Sequence, residues 1–299
     1  MNRRDFLGCA TAAAVLPRLD AAEEAEPLLR FGLIADAQYA DADAEGERHY
    51  RSTPEKLKRA AEILVGAKPA FTLHLGDFID RDFKSFDTML PLLKGLGHSV
   101  HHLLGNHDYS VADSEKARVV SALGMPHDYY TFRSGSVRFV MLDTNDLSIY
   151  RHPAGSPGNE EAKQILDRLK ADKEPGAAPW NGGISKAQLD WLERELSAAD
   201  AAMESVIVCG HHPLLPADMH QAWKAGEVTA IIGKHPCVRA YFNGHNHAGG
   251  YVEREGVPYV TFRSMLHQPE ITAYSLVEVY PDRIVVTGYG REESRILRG

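Results

Sequence analysis

The sequence predicts an α/β fold in which short buried strands alternate with amphipathic helices. Three observations predict it. Brief apolar runs recur along the chain, helix signals separate them, and run after run ends in a small residue followed by Asp, Asn or His. Residues 30–35 (RFGLIA) read as a buried strand ending at Asp36. Ser52-Thr53-Pro54-Glu55 opens a helix with Pro54 in its first turn; Leu57, Ala60, Ala61 and Leu64 form the apolar stripe, and Gly66 and Pro69 end it. Residues 70–75 are the next strand and run into Gly76-Asp77. A helix over 86–93 leads to a strand over 100–104 that ends in Gly105-Asn106-His107-Asp108. Residues 129–132 and 137–142 pair as strands around Ser134-Gly135.

The rhythm breaks at 145–184, a stretch holding Pro153, Pro157, Pro175, Pro179 and many glycines, with one helical patch at 160–170. It reads as an insertion near the site, a flap facing the substrate rather than a separate domain. Ser185-x-x-Gln188 has the form of a capping box leading a helix through Leu189, Leu192 and Leu196. Strands at 205–209 and 238–242 end in Gly210-His211-His212-Pro213 and Asn243-Gly244-His245-Asn246-His247. The tail, 258–262, 272–280 and 283–288, alternates like an antiparallel sheet. One domain over 28–298 is expected.

The chain has 299 residues, 33 Lys+Arg against 41 Asp+Glu and a formal net charge of −8, so no basic face for nonspecific nucleic-acid binding is expected. No apolar run approaches the ~20 residues that span a bilayer, and no stable membrane anchor is expected. Three cysteines (Cys9, Cys209, Cys237) are too few for a disulfide framework. Residues 1–26 resemble a bacterial Tat export signal: Asn2-Arg3-Arg4-Asp5-Phe6-Leu7 is a twin-arginine pattern followed by a short, Ala-rich stretch. The expected location is periplasmic or secreted, with the Tat machinery as a transient partner.

Five strand ends carry the chemistry in order: Asp36-Ala37-Gln38, Gly76-Asp77, Gly105-Asn106-His107-Asp108, Gly210-His211-His212 and Gly244-His245-Asn246-His247. Carboxylate, amide oxygen and imidazole together suit a borderline-to-hard divalent ion rather than a thiolate zinc site. Asp36, Gln38, Asp77, Asn106, His211, His245 and His247 exceed the needs of one tetrahedral ion and match two ions that share a carboxylate.

This series (D-x-H/Q, GD, GNHD, GHxP, GHxH) resembles the calcineurin-like metallophosphoesterases over roughly residues 30–290. More narrowly, Ile34-Ala35-Asp36-Ala37-Gln38-Tyr39-Ala40-Asp41, Arg48-His49-Tyr50-Arg51, Leu142-Asp143-Thr144-Asn145-Asp146-Leu147-Ser148 and Gly244-His245-Asn246-His247-Ala248-Gly249-Gly250-Tyr251 resemble the manganese-dependent ADP-ribose/CDP-alcohol diphosphatases. Most of the superfamily has His where Gln38 stands. The resemblance implies a four-layer α-β-β-α sandwich with two packed mixed sheets. It implies two divalent ions, Mn²⁺ before Fe or Zn, bridged by Asp77. Asp36, Gln38 and His247 complete one ion, and Asn106, His211 and His245 the other. Gln38 either ligates directly or hydrogen-bonds a metal-bound water. His107 faces the substrate, stabilising the phosphoryl group or protonating the leaving oxygen, while Asp108 orients it.

The expected enzyme is a metal-dependent hydrolase that cleaves the phosphoanhydride of a nucleoside diphosphate derivative by attack of a metal-bound hydroxide. The alternatives are a 3′,5′-cyclic nucleotide phosphodiesterase or broad phosphomonoesterase on the same site, and a non-catalytic envelope protein that binds metal or nucleotide. For the substrate, Tyr39 offers a stacking face or core packing, and Arg48 and Arg51 offer bidentate phosphate contacts or a solvated helix start. His49, His74, His98, His101, His102, His212 and His267 read as structural.

Overall fold

The computed structural model describes residues 26–298. The Tat-type segment and Cys9 lie almost entirely outside the described residues. In chain order the elements are β1 (Leu29–Ile34), α1 (Thr53–Ala67), β2 (Phe71–His74), α2 (Ser85–Leu93), β3 (Ser99–His102), α3 (Val119–Ala122), β4 (Tyr130–Ser134) and β5 (Val137–Met141). There follow α4 (Pro157–Ala171), α5 (Lys186–Ala201), β6 (Ser205–Cys209), α6 (Ala225–Ile232), β7 (Val238–Asn243), β8 (Gly250–Arg254), β9 (Val257–Thr261), β10 (Ala273–Val279), β11 (Ile284–Gly290) and β12 (Arg295–Leu297).

The strands form two mixed six-stranded sheets, ordered β12-β11-β10-β1-β2-β3 and β4-β5-β6-β7-β9-β8. Their inner faces meet in an aromatic core: Phe31 packs edge-on to Phe139 at 5.2–5.3 Å between centroids, as Phe71 does to Phe132 and Phe139. Period-two alternation decides which layer each strand residue joins. Along β5, Val137, Phe139 and Met141 face the other sheet, while Val140, with Leu142 just beyond, packs with Leu192 and Leu196 of α5. Helices α1 and α2 cover the first sheet, α5 and α6 the second, so the layers run α-β-β-α. No described helix is long and apolar enough to cross a membrane.

Two sequence expectations change here. The tail does not form one antiparallel sheet: β9 joins the second sheet, parallel to β7 and antiparallel to β8, while β10 to β12 build the first sheet. The reason is that β10 pairs with β1, closing the first sheet with late residues. The capping box is half formed. Ser185 Oγ accepts from Gln188 N–H, but Gln188 turns inward to hydrogen-bond the backbone of Asp143 on both sides. Cys209 and Cys237 are both free and buried.

Lys56 of α1 is fully buried and donates to the carbonyls of Met265 (2.9 Å), Leu266 (3.1 Å), His267 (3.0 Å) and Gln268. A single ammonium thus pins the loop between β9 and β10 onto α1. Lys56→Met keeps the stem but strands these acceptors, and is expected to cost about 3 kcal/mol of stability in urea unfolding. A loss below about 0.5 kcal/mol would show that the carbonyl cradle does not depend on the charge.

Candidate active site

The carboxyl ends of β1, β2, β6 and β7 converge at one edge of the sandwich. The backbone there is bent sharply. Asp36, Gln38, Asp77 and His245 all sit at positive φ (+47° to +66°), a region that costs a non-glycine residue about 1–2 kcal/mol. Glycines supply the clearance. A Cβ on Gly105 would lie 2.1 Å from Asp77 Oδ1, and Gly76, at φ +88°, would meet His211 Nδ1 at 2.5 Å.

Two triads offer atoms within 4.8 Å of one another: Asp77, His211 and His245, and Asp36, Asp77 and His247. Asp77 belongs to both. His211 Nδ1 lies 2.8 Å from Leu75 O, an acceptor only, so Nδ1 carries a proton and Nε2 faces the site as a lone pair. That Nε2 lies 3.3 Å from Asp77 Oδ2 and 3.1 Å from Asn106 Oδ1, and Asn106 Oδ1 lies 3.0 Å from His245 Nδ1. On the other side His247 Nε2 lies 3.6 Å from Asp36 Oδ1. Gln38 donates from Nε2 to Asp80 (3.2 Å), leaving its Oε1 buried without a partner, and Asp77 Oδ2 is likewise without a hydrogen bond. Buried acceptors that face only one another require positive charge between them. The donor set of carboxylate, amide oxygen and imidazole fits two divalent cations that share Asp77.

The electrostatics point the same way. Burial pushes the Asp36 carboxyl up to about 7, against the pull of His211. Burial acts on Asp77 too, but His211 and His107 hold its carboxyl well below the ordinary range. Burial would lower His211, yet Asp77 raises it to about 9, so with no ion bound a proton on Nε2 supplies the positive charge that a cation would otherwise bring.

All seven expected ligands meet in this region. Of the remaining site residues, Asp108 departs from its expected role, while Arg51 and Tyr39 take the second of their two readings. Asp108 does not orient His107. Its carboxylate accepts from the backbone N–H of Asp77 (3.1 Å), Phe78 (2.8 Å), Ile79 (3.2 Å) and Gly105 (2.9 Å), so it ties the β2 and β3 turns together. Asp80 stands beside His107, with Oδ1 3.0 Å from Nδ1. Arg51 is turned outward onto Asp41 and Asp43 (2.6 Å each), because the loop before α1 supplies nearer carboxylates than the cleft does. Tyr39 packs against the core and borders a separate hollow with Asp41 and Lys84, so the core-packing alternative holds.

A cleft of about 450 Å³ opens over the triads, walled by Arg48, His107, Trp180, His220, Asn246 and His267 among others. Arg48 makes no side-chain ion pair with any described residue. Sequence reading missed Trp180 and Asn181, which the 145–184 insertion brings here, and Asp80, for which only its closeness to Asp77 was a signal. It also read His267 as structural, whereas His267 Nε2 lies 2.9 Å from His247 Nδ1.

A fold of two mixed sheets with a cation-shaped edge defines a class of phosphate-ester hydrolases, and the comparisons agree. The chain belongs to the calcineurin-like phosphoesterases, whose pattern matches residues 29–249, and is a metal-dependent hydrolase. It is similar to the manganese-dependent ADP-ribose/CDP-alcohol diphosphatases of Xenopus tropicalis (32% identical; 91% of this chain, 94% of that protein) and Homo sapiens (31%; 92% and 94%). The crystal structure of a dimetal phosphatase from Danio rerio superposes with a TM-score of 0.82 at 26% identity, covering 91% of this chain and 99% of that one.

The two aspartates should separate on mutation. Asp108→Ala strands four buried N–H groups and is expected to cost about 3–5 kcal/mol of stability in chemical denaturation. Asp80→Ala is expected to cost far less stability. Equal losses for the two would contradict the assignment of Asp108 to the turn scaffold.

Proposed function

We propose that the protein hydrolyses the phosphoanhydride of nucleoside diphosphate derivatives of the ADP-ribose or CDP-alcohol type, with Mn²⁺ as its ion. The observation that carries this is Arg48, a guanidinium with no ion-pair partner among the described residues, in the same cleft as the Asp77-centred triads. A phosphomonoester needs one anion site, whereas a diphosphate ester has a second phosphoryl group for a bidentate partner to take. The names of the relatives above support the same substrate class.

When bound, two divalent ions lower the pKa of water and clamp the attacking and leaving oxygens. Asp36, Gln38, Asp77 and His247 would hold one, and Asp77, Asn106, His211 and His245 the other. The chain's own residues do the rest. His107, half-buried at the cleft wall beside Asp80, is raised despite burial by Asp77 and Asp80, and so is suited to donate a proton to the leaving oxygen. The Asp80 carboxylate stands 3.0 Å from Nδ1, which leaves Nε2 for the substrate. Arg48 binds the second phosphoryl group. Trp180, 42% exposed in the cleft lining, offers an aromatic face for the base.

The test is metal-stripped protein refilled with Mn²⁺ and offered ADP-ribose, CDP-choline, 3′,5′-cyclic AMP and p-nitrophenyl phosphate. The two diphosphates are expected to turn over best. Preferred turnover of the cyclic nucleotide or the monoester would overturn the reading. His107→Ala is expected to lower kcat by about 10²–10⁴ with the ions retained, and a loss under about threefold would remove His107 from proton transfer. The reading also includes export through the Tat route, supported by the Arg3-Arg4 pattern. Arg3→Lys with Arg4→Lys should hold the enzyme in the cytoplasmic fraction, and unchanged export would refute it.

A further inference from the structure

Asn181 is fully buried, and its amide is used on every side. Its Nδ2 donates to Gly176 O (2.9 Å) and Met219 O (2.8 Å), and its Oδ1 lies 2.8 Å from His245 Nε2. Two carbonyl acceptors on Nδ2 fix which end of the amide is which, so the atom facing His245 is oxygen. An amide oxygen only accepts. His245 has one proton for two amide oxygens: the shorter contact, to Asn181, takes it on Nε2, and Nδ1, 3.0 Å from Asn106 Oδ1, is left for a cation that both would ligate.

We propose that Asn181 is a positioning residue that sets the tautomer of His245 and couples the metal centre to the substrate-facing wall. The stretch it tethers carries Trp180, and Met219 adjoins His220; both Trp180 and His220 line the cleft. The neighbouring backbone is held as well, with Gly183 N–H donating to Leu147 O (2.9 Å) and Trp223 N–H to Gly182 O (2.7 Å). Asn181 is the side chain of the insertion that reaches His245. A coupling of this kind is reciprocal: ions that hold His245 in place order residues 176–183, and loss of the tether weakens the ions. It is distinct from the Asp80–His107 pair, which touches no metal-facing atom of His245.

The inference rests on His245 facing a cation, and the experiment separates the two ideas. Mn²⁺ is titrated calorimetrically into metal-stripped wild type, Asn181→Ala and Asn181→Asp, and hydrogen exchange of residues 176–183 is followed with and without the ion. Wild type is expected to take two ions and to gain protection over 176–183. Asn181→Ala should bind one of them about 10–100-fold more weakly and lose that added protection. Asn181→Asp keeps the acceptor for His245 but cannot donate to Gly176 or Met219. It should bind Mn²⁺ at or above wild-type affinity while its 176–183 segment exchanges faster and its KM rises. Two ions bound equally tightly by Asn181→Ala would overturn the proposal and leave the metal centre standing. Wild type that binds no Mn²⁺ would overturn the metal centre and the proposal with it. Unchanged exchange over 176–183 in wild type on adding Mn²⁺ would overturn the coupling without recourse to any variant.

Discussion

The structure is organised around a demand that it cannot meet by itself: two buried carboxylates, Asp36 and Asp77, share one edge of the sandwich with three imidazoles, His211, His245 and His247. Such a cluster of acceptors is stable only around positive charge. The surrounding fold serves to keep it from relaxing. Sheet pairing fixes the strands from which the four left-handed residues project, and the Asp108 carboxylate gathers four N–H groups beneath the two turns that carry Asp77 and Asn106. Conformational strain at these residues is thus balanced by hydrogen bonds and core packing that lie outside the site.

The work is divided between rigid and variable parts. Strand ends hold the cation-facing atoms, where small displacements matter most. The long connection between β5 and α5 supplies what faces outward, Trp180 above all, and is stapled back by its own small cluster of Ala162, Leu166, Leu169 and Trp223. Loops of this kind tolerate substitution, so away from Asn181, whose amide reaches His245, they can change the occupant of the cleft.

Much of this was legible in the residues themselves. Side chains able to bind metal recur at strand ends, and period-two and 3.6-residue patterns mark the layers. That is why Asp36, Asp77, Asn106, His211, His245 and His247 could be named before any geometry was known. What escaped was contact made only in three dimensions. Asp108 adjoins His107 in sequence, but the 3₁₀ turn at His107–Tyr109 sends the two side chains apart, and Asp80 arrives from the loop after β2. Arg51 lies three residues from Arg48, yet it finds Asp41 and Asp43 first. The tail was split between sheets because alternation reports a strand and not its neighbour. Asn181 carried no signal at all: a lone Asn before glycines reads as a turn.

The pairing of β1 with β10 has a bearing on how the molecule comes into being. The strand that presents Asp36 waits for a neighbour made near the other end of the chain, and Lys56 waits for the carbonyls just before that neighbour. On the ribosome the early strands have no complete sheet to join. The first sheet is therefore completed late, and the full set of cation-facing residues exists only once His245 and His247 have been made.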